Sequence, residues 1–215
     1  PKVMQNDKVK YYYDILQEHE KELKLKRAFD IICSLIMIII LSPVLIVLSV
    51  MIKLDSKGPV LFKQVRVTTY GRKFKIWKFR TMVNNADKLG TQVTTKGDAR
   101  ITRMGHLLRK VRLDELPQLF NVLKGDMTFV GTRPEVPKYT AHYTEEMMAT
   151  FLLPAGVTSR TSIEYKDEEK LLENAENADE VYINEVLPAK MVYIEKFSFL
   201  RDISTMIKTV IAVIK

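Results

Sequence analysis

Two adjacent carboxylates, Asp114 and Glu115, lie within a segment that is rich in arginine. The nearest arginines in sequence are Arg100, Arg103, Arg109, Arg112 and Arg133. Taken alone, two acidic residues at the start of a helix are capping residues, because the positive end of the helix dipole stabilises carboxylates. Among arginines, however, they suit Mg²⁺ and a diphosphate better than a simple cap, since Mg²⁺ binds carboxylate and phosphate oxygens and arginine binds phosphate.

The apolar residues around the two carboxylates predict the helix that positions them. Leu113, Leu116, Leu119, Phe120 and Leu123 fit one helix face, and Gly125 is a suitable terminator. Pro117 is tolerated only in the first turn of a helix, so the helix is predicted to begin near Leu113. We therefore expect both carboxylates at its N-terminal end, where phosphates are also attracted.

The segment that follows Gly58-Pro59 predicts a β-hairpin. VLFKQVRV has the composition of a strand, Gly71 marks a turn, and KFKIWKFRTM forms a second strand. Basic and aromatic residues interleave in the second strand, as they do in single-stranded nucleic-acid platforms. The alternative is that the aromatics face a core and the cations face water or lipid headgroups. We favour this alternative, because a soluble RNA-binding protein has no use for the apolar segment 31–52.

Composition narrows the class of protein. The chain has 215 residues, a net charge of +8 and one cysteine, Cys33, which excludes a disulfide framework and a cysteine-rich zinc site. Charged residues make up 28% and apolar residues 47%, which excludes wholesale disorder. The mean hydropathy of −0.07 suggests a soluble protein. That average hides one apolar segment and one strongly basic segment, residues 53–112, which favours a polyanionic partner.

Residues 31–52 form a run without a single charge. As a helix it would measure about 33 Å, enough to cross a hydrocarbon core of about 30 Å. Pro43 deletes a backbone hydrogen bond and predicts a kink, and Ser42 can satisfy a freed backbone group. Basic residues flank both ends, so both ends favour the cytoplasmic face and the helix is predicted to enter the membrane and return. An ordinary kinked span is the alternative.

Two further helices are predicted at the ends of the chain. Residues 1–27 have the pattern of an amphipathic, charged lead-in helix. Near the C-terminus the apolar positions with helical spacing are Ile203, Met206, Ile207, Val210, Ile211 and Ile214. This amphipathic helix is as well suited to pack on the domain as to lie on lipid.

Several motifs taken together resemble a known family. They are Lys26-Arg27-x-Phe29-Asp30, Ser42-Pro43, Gly58-Pro59-x-x-Phe62-x-Gln64, Lys78-Phe79-Arg80-Thr81-Met82 and LDELPQLFNVLKGDMTFVGTRPE at 113–135. The chain resembles the bacterial sugar transferases, the monotopic polyprenol-phosphate phosphoglycosyl transferases, in their small catalytic-domain form. The resemblance covers residues 24–160 in order and is most specific at 113–135.

The resemblance implies an activity and assigns roles to residues. Such enzymes transfer a sugar 1-phosphate from a UDP-sugar to polyprenol (undecaprenyl) phosphate, release UMP, and begin the assembly of a membrane-linked glycan. Asp114 would be the nucleophile that forms a covalent phosphosugar, and Asp114 with Glu115 would bind Mg²⁺. Arg80, Arg109 and Arg133 would hold phosphate groups, and the re-entrant helix would be broken at Ser42 and Pro43.

The predicted fold class is α+β and mostly helical, with a kinked re-entrant membrane helix and a compact catalytic domain. Residues 1–57 would form the lead-in and membrane helices, and residues 58–215 the catalytic domain with a short hairpin and amphipathic interfacial helices. The enzyme would lie at the cytoplasmic face of the bacterial inner membrane. Its expected partners are a UDP-sugar, polyprenol phosphate and the bilayer, without nucleic acid; a homodimer is allowed. The alternative function is a membrane-anchored basic scaffold that binds acidic partners or nucleic acid without catalysis.

The chain departs from the family pattern at five places and keeps the two carboxylates; one of the five is Arg160-Thr161-Ser162, where many members have a Gln. Thr132 stands in the family's G-P-R-P motif, and Ala155 and Ser159 alter its P-G-I-T-G motif. Lys190 replaces an Asp three residues before Tyr193, and residues 164–185 form an acidic segment. These changes affect the expected sugar and uridine contacts, so they predict a divergent subgroup that uses a different sugar.

Overall fold

The computed structural model describes residues 2–86, 98–159 and 190–214. The helices are α1 (Asp7–Glu18), α2 (Glu20–Asp55), α3 (Arg103–Lys110), α4 (Gln118–Lys124), α5 (Pro137–Thr140), α6 (Met191–Glu195) and α7 (Phe199–Ile214). The strands are β1 (Leu61–Val67), β2 (Lys73–Phe79), β3 (Met127–Val130) and β4 (Ala155–Thr158). The protein is therefore mostly helical with short sheets, as predicted. The acidic segment 164–185 lies outside the described residues.

The predicted hairpin is present. Strands β1 and β2 pair antiparallel, with Leu61 opposite Phe79 and Val67 opposite Lys73. Phe74 and Ile76 are buried against α4, whereas Lys73 and Lys75 are exposed. This alternation is the two-residue period of a half-buried strand. It supports the interpretation in which the apolar side chains face the core, and it leaves the nucleic-acid platform without support.

Strands β3 and β4 form a second, parallel pair. Met127 lies beside Ala155 and Val130 beside Thr158. The backbone of β4 at Gly156 lies very close to Gly131, the residue directly after β3. A Cβ atom on Gly156 would lie 2.2 Å from the Gly131 nitrogen. A larger residue at this glycine would therefore push apart the segment that leads to Arg133.

Helix α2 runs without interruption through Pro43. Pro43 has no N–H to donate to the Ile39 carbonyl, and the Ser42 hydroxyl donates to that carbonyl instead, at 2.8 Å. The helix assignment is continuous here because a side chain replaces the lost backbone bond, and the predicted break at Ser42 and Pro43 stays a prediction. A bend at this position stays a prediction.

The N-terminal half of α2 is anchored by buried polar contacts. Lys26 Nζ donates to Asp202 Oδ2 of α7 at 2.5 Å and to the Val130 carbonyl at the end of β3 at 2.7 Å. Asp30 accepts hydrogen bonds from the Thr128 hydroxyl and the Phe129 N–H. Lys26 and Asp30 thus connect α2 to both α7 and β3.

Arg27 extends this anchor to α4. Its guanidinium donates to the carbonyls of Val122 and Leu123 at 2.7 and 2.8 Å. These carbonyls lie in the last turn of α4, where no N–H four residues further on donates to them, although the Gly125 N–H also donates to Val122 at 3.0 Å. Lys26 and Arg27 therefore bind protein groups. Of the four basic residues that precede the apolar run, Lys21, Lys24, Lys26 and Arg27, two no longer support the charge argument for the membrane topology.

The C-terminal half of α2 contacts the same folded body. Leu48 and Ile52 pack with Phe79 and Leu108, and Asp55 Oδ2 accepts a hydrogen bond from the Met104 N–H at 3.2 Å. The opposite face of α2 exposes apolar side chains: Ile32, Ile36, Ile39, Ile40, Ile46, Val47, Val50 and Leu54. By length and composition α2 could cross a membrane. Only 11% of its most apolar 18-residue stretch is buried within the protein. The helix therefore lies along the domain with one apolar face unpacked.

Helix α1 buries its apolar side chains in the core, whereas helix α7 exposes several of its own. Helix α1 packs Val9, Tyr12 and Leu16 into a core cluster with Phe151 and Ile194. The predicted amphipathic C-terminal helix is present as α7, where the apolar side chains of Ile207, Val210 and Ile211 are exposed while Asp202 and Thr205 are buried. This arrangement favours an apolar environment outside α7.

Lys190, the residue that departs from the family pattern, is buried in an ion pair with Glu135. Glu135 comes two residues after Arg133, so the pair fixes the chain close to a predicted phosphate ligand. Lys190 also directly precedes α6. The substitution is thus accommodated by a buried carboxylate partner.

Candidate active site

Asp114 and Glu115 lie on a single 3₁₀ turn, Leu113–Glu115, and not on the helix that was predicted to begin near Leu113. Arg112 enters the turn with a left-handed backbone, φ 56°, and α4 begins only after Pro117. An α-helix through this point would need an N–H at Pro117 to reach the Leu113 carbonyl, and proline has none. The carboxylates therefore sit on a tight turn packed against β2.

The Asp114 carboxylate is buried and only partly satisfied. The residue is 8% exposed, and its Oδ1 has no hydrogen-bond partner among the described residues. Burial raises the pKa of Asp114; the Glu115 charge adds to this, and the charges of Lys78, Arg109 and Arg112 oppose it without cancelling it. Buried polar atoms without partners are uncommon in native proteins and point to a ligand or a catalytic role.

Glu115, unlike Asp114, has a hydrogen-bonded cationic partner and a lowered pKa. Its Oε1 accepts a hydrogen bond from Lys78 Nζ at 2.6 Å. Burial raises the pKa of Glu115, but the positive charges of Lys78, Arg133 and Arg112 outweigh burial, so the pKa is lowered overall. The turn therefore presents one firmly ionised carboxylate beside one that is free to bind or react.

Two of the three predicted phosphate-binding arginines lower the pKa of one of these carboxylates by their positive charge. Arg109 Nε donates to the Thr81 hydroxyl at 3.0 Å, and its charge acts on Asp114. Arg133 is exposed after β3, and its charge acts on Glu115. The structure thus brings Arg109 and Arg133 to opposite members of the pair.

The third arginine, Arg80, is buried at the end of α2. It is 5% exposed, and its Nη2 donates to the carbonyls of Ile52 and Ser56. Its Nε and Nη1 have no partner within the described part of the chain. Burial lowers the pKa of Arg80, and Asp55 only partly opposes this. Arg80 therefore keeps two unused donors inside the protein.

Lys78 is a site residue that the sequence analysis missed. Its strand position gives a signal, because residues 74, 76 and 78 share one face of β2, residue 80 continues the series directly after the strand, and residues 74 and 76 are buried. A lysine and an arginine in an inward-facing series are unusual, since buried cations need partners. Lys78 finds its partner in Glu115, and that contact holds the turn against the strand.

The donor set also fits magnesium. No group of three or more His, Cys, Asp or Glu side chains suited to a metal occurs in residues 2–86, 98–159 and 190–214. Mg²⁺, however, is usually bound through one or two carboxylates plus substrate phosphates and waters. The unpartnered Asp114 Oδ1 and the ionised Glu115 match that mode of binding.

Comparison with known proteins gives the family context. A family model described as bacterial sugar transferase matches residues 21–215. A UDP-N-acetylgalactosamine-undecaprenyl-phosphate N-acetylgalactosaminephosphotransferase from Aeromonas hydrophila is 37% identical over 189 residues, covering 86% of this chain and 43% of the relative. A UDP-glucose:undecaprenyl-phosphate glucose-1-phosphate transferase from Escherichia coli is 37% identical over 191 residues, covering 86% of this chain and 39% of the relative.

A shorter relative matches a larger share of its own length. A putative undecaprenyl-phosphate N-acetylgalactosaminyl 1-phosphate transferase from Bacillus subtilis is 42% identical over 135 residues, covering 63% of this chain and 75% of the relative. The chain therefore spans less than half the length of the Aeromonas and Escherichia relatives.

Proposed function

Since the chain belongs to the bacterial sugar transferase family, we propose that it transfers a sugar 1-phosphate from a UDP-sugar to polyprenol phosphate and releases UMP. The observation that carries this proposal is the buried Asp114 carboxylate, whose Oδ1 lacks a partner beside the ionised Glu115–Lys78 pair. A carboxylate in this state is able to attack phosphorus without first losing a proton.

The reaction would proceed in two displacements at one phosphorus atom. In the first, a carboxylate oxygen of Asp114 attacks the sugar-bearing phosphorus, the bond to the bridging oxygen breaks, and UMP leaves with that oxygen. In the second, a phosphate oxygen of polyprenol phosphate attacks the same phosphorus and the bond to Asp114 breaks. The product is a polyprenyl diphosphosugar, and Asp114 returns to its ionised form.

The surrounding cations would balance the charge of these steps. Arg109 acts on Asp114 and Arg133 acts on Glu115, so phosphate groups on either side of the turn would meet an arginine. Asp114 and Glu115 would hold Mg²⁺ together with the substrate diphosphate. When bound, this ion neutralises charge that develops on the phosphate oxygens. Lys78 keeps Glu115 ionised for that task.

The sugar is to be identified by a substrate screen. The named relatives act on UDP-N-acetylgalactosamine or UDP-glucose, so the panel should include both beside other UDP-sugars. We expect purified protein with Mg²⁺ and undecaprenyl phosphate to release UMP from one member of the panel at a clearly higher rate than from the rest. UMP release from none of them would contradict the proposal.

The pH dependence of the reaction should follow Asp114. Its pKa is raised, so protonation begins at a higher pH than for an ordinary aspartate, and UMP release is expected to fall as the pH is lowered through that pKa. Removing an opposing charge with Lys78→Met should move this acidic limb to higher pH, and Glu115→Gln should move it to lower pH. Rate–pH profiles of the three proteins test this; a limb that neither variant moves would contradict the assignment.

We also propose that α2 is re-entrant and lies in one leaflet at the cytoplasmic face of the bacterial inner membrane. Asp30 directly precedes the apolar run and contacts β3, and Asp55 follows the run and contacts α3, so both ends of the apolar run bind the same domain. A spanning helix would place these contacts on opposite sides of the bilayer and draw polar groups into hydrocarbon, which is costly.

Cysteine labelling from each side of the membrane tests the topology. Lys21→Cys and Lys57→Cys, each in a Cys33→Ser background, place single thiols at exposed positions beyond the two ends of the apolar run. Both are expected to react with an impermeant reagent from the cytoplasmic side only. Labelling of the two positions from opposite sides would show an ordinary span.

A further inference from the structure

Two cavities of different chemistry are connected with the carboxylate turn: Glu115 lines the first, and Arg109, whose charge acts on Asp114, lines the second. The first cavity has a volume of about 360 Å³ and lies between α2, α4 and α7. Its apolar walls come from Met37, Leu119, Phe129, Val157, Met206 and Val210. Its polar end is formed by Glu115, Arg112 and Arg133. The charged end thus meets one member of the carboxylate pair, and the walls are largely hydrocarbon.

The second cavity has a volume of about 470 Å³ and lies between the hairpin and the segment after β2. Three arginines line it, Arg80, Arg100 and Arg109, together with the side-chain amides of Gln64, Asn84 and Asn85. This composition suits a ligand that carries phosphates and hydrogen-bonding polar groups. Because the Arg109 charge acts on Asp114, the cavity is electrostatically coupled to the reactive carboxylate.

Arg80 gives an independent sign that this second cavity receives an anion. The residue is 5% exposed, and its buried Nε and Nη1 have no partner among the described residues. Gly58 leaves room for it, since a Cβ there would lie 2.0 Å from Nη1. A buried cation with unused donors is costly unless a ligand supplies acceptors. A planar guanidinium is matched by phosphate oxygens.

The first cavity opens toward the apolar surface of the protein. Met37 on α2 and Val210 on α7 line it and are both exposed, at 37% and 58%. They belong to the two helices that each carry a row of exposed apolar side chains. An isoprenoid chain could therefore pass from lipid into this cavity without crossing a polar surface.

We propose that the two substrates reach the carboxylates from these different cavities. The UDP portion of the donor occupies the polar cavity with its phosphates at Arg80 and Arg109, and the polyprenyl acceptor occupies the apolar cavity with its phosphate at Arg112 and Arg133. This assignment rests on the proposed function and adds to it a separate location for each substrate. UMP then leaves on the polar side while the acceptor approaches from the lipid side.

Separate kinetics for the two substrates test the assignment. Arg80→Met is expected to raise the KM for the UDP-sugar roughly 10- to 100-fold, as for loss of charge-assisted hydrogen bonds, and to leave the KM for polyprenol phosphate unchanged. Val210→Trp, which fills the apolar cavity, should raise the KM for polyprenol phosphate and leave the acceptor-free burst of UMP intact. Ile207→Trp and Arg103→Met are matched controls, since both residues are exposed and line neither cavity.

A binding version of the experiment needs no turnover. UDP should raise the Tm of the wild type and of Val210→Trp but not of Arg80→Met, and a short polyprenyl phosphate should raise the Tm of the wild type and of Arg80→Met but not of Val210→Trp. If one variant were stabilised by neither ligand, the two-cavity assignment would be overturned. The same conclusion would follow if neither ligand raised the Tm of the wild type. Failure of the proposed function would instead appear as binding in this pattern without UMP release.

Discussion

Asp114→Asn is expected to lower the rate of UMP release by about 10⁴-fold or more, as for the loss of a catalytic nucleophile. An amide does not attack phosphorus, so no covalent phosphosugar forms. The rate of UMP release with the preferred UDP-sugar, Mg²⁺ and undecaprenyl phosphate measures the effect. Asp114→Ala should behave in the same way and controls for deamidation of the new asparagine.

The same substitution should leave the fold intact. Burial raises the pKa of Asp114, so the ionised carboxylate, the form present above that pKa, costs the folded protein stability relative to the unfolded chain. A neutral asparagine removes that cost, so the Tm of Asp114→Asn should be no lower than that of the wild type. Asp126→Asn, which removes a carboxylate bound to Arg72 at the surface, is the matched control and should retain activity. Wild-type activity in Asp114→Asn would exclude Asp114 as the nucleophile.

Lys26→Met should produce the largest loss of stability, about 3–5 kcal/mol in the free energy of unfolding, the range seen when one partner of a buried ion pair is removed. Both side chains of the Lys26–Asp202 pair are almost fully buried. Without Lys26, the Asp202 carboxylate and the Val130 carbonyl both lose a donor inside the protein. Equilibrium unfolding of the purified variant measures the loss.

Lys24→Met is the matched control for this change. Lys24 lies two residues earlier in α2 and forms an exposed ion pair with Glu20, so its removal should cost only about 0–1 kcal/mol. Adding Asp202→Asn to Lys26→Met should restore part of the lost stability, because it removes the uncompensated charge. Equal losses for Lys24→Met and Lys26→Met would show that the buried pair does not anchor α2.

Local patterns predicted the elements that depend on neighbouring residues. The two-residue alternation of the Lys73–Phe79 segment predicts a strand with one buried face, and the helical spacing of the C-terminal apolar residues predicts α7. The adjacent carboxylates and the arginines around them also identify the site from sequence. These features rest on contacts within a few positions, for which periodicity is informative.

Contacts between distant residues could not be predicted in this way. Lys26 and Arg27 look like membrane-flanking cations, yet they bind Asp202 and the end of α4, 95 to 176 positions away in sequence. Lys190 likewise departs from the family pattern in the sequence, and only the structure shows its buried ion pair with Glu135. The turn at Asp114 differs from the predicted helix because one proline removes the donor that the helix would need.

The account is tested most directly by the mass of the intact protein after incubation with the preferred UDP-sugar and Mg²⁺ in the absence of an acceptor. We expect a mass increase equal to one sugar-phosphoryl group, which is a sugar phosphate less one water, located at Asp114 and absent from Asp114→Asn. The increase should be lost on addition of polyprenol phosphate as the lipid product appears. Full turnover by a wild-type protein that never carries this mass, or a phosphosugar located on a residue other than Asp114, would contradict it.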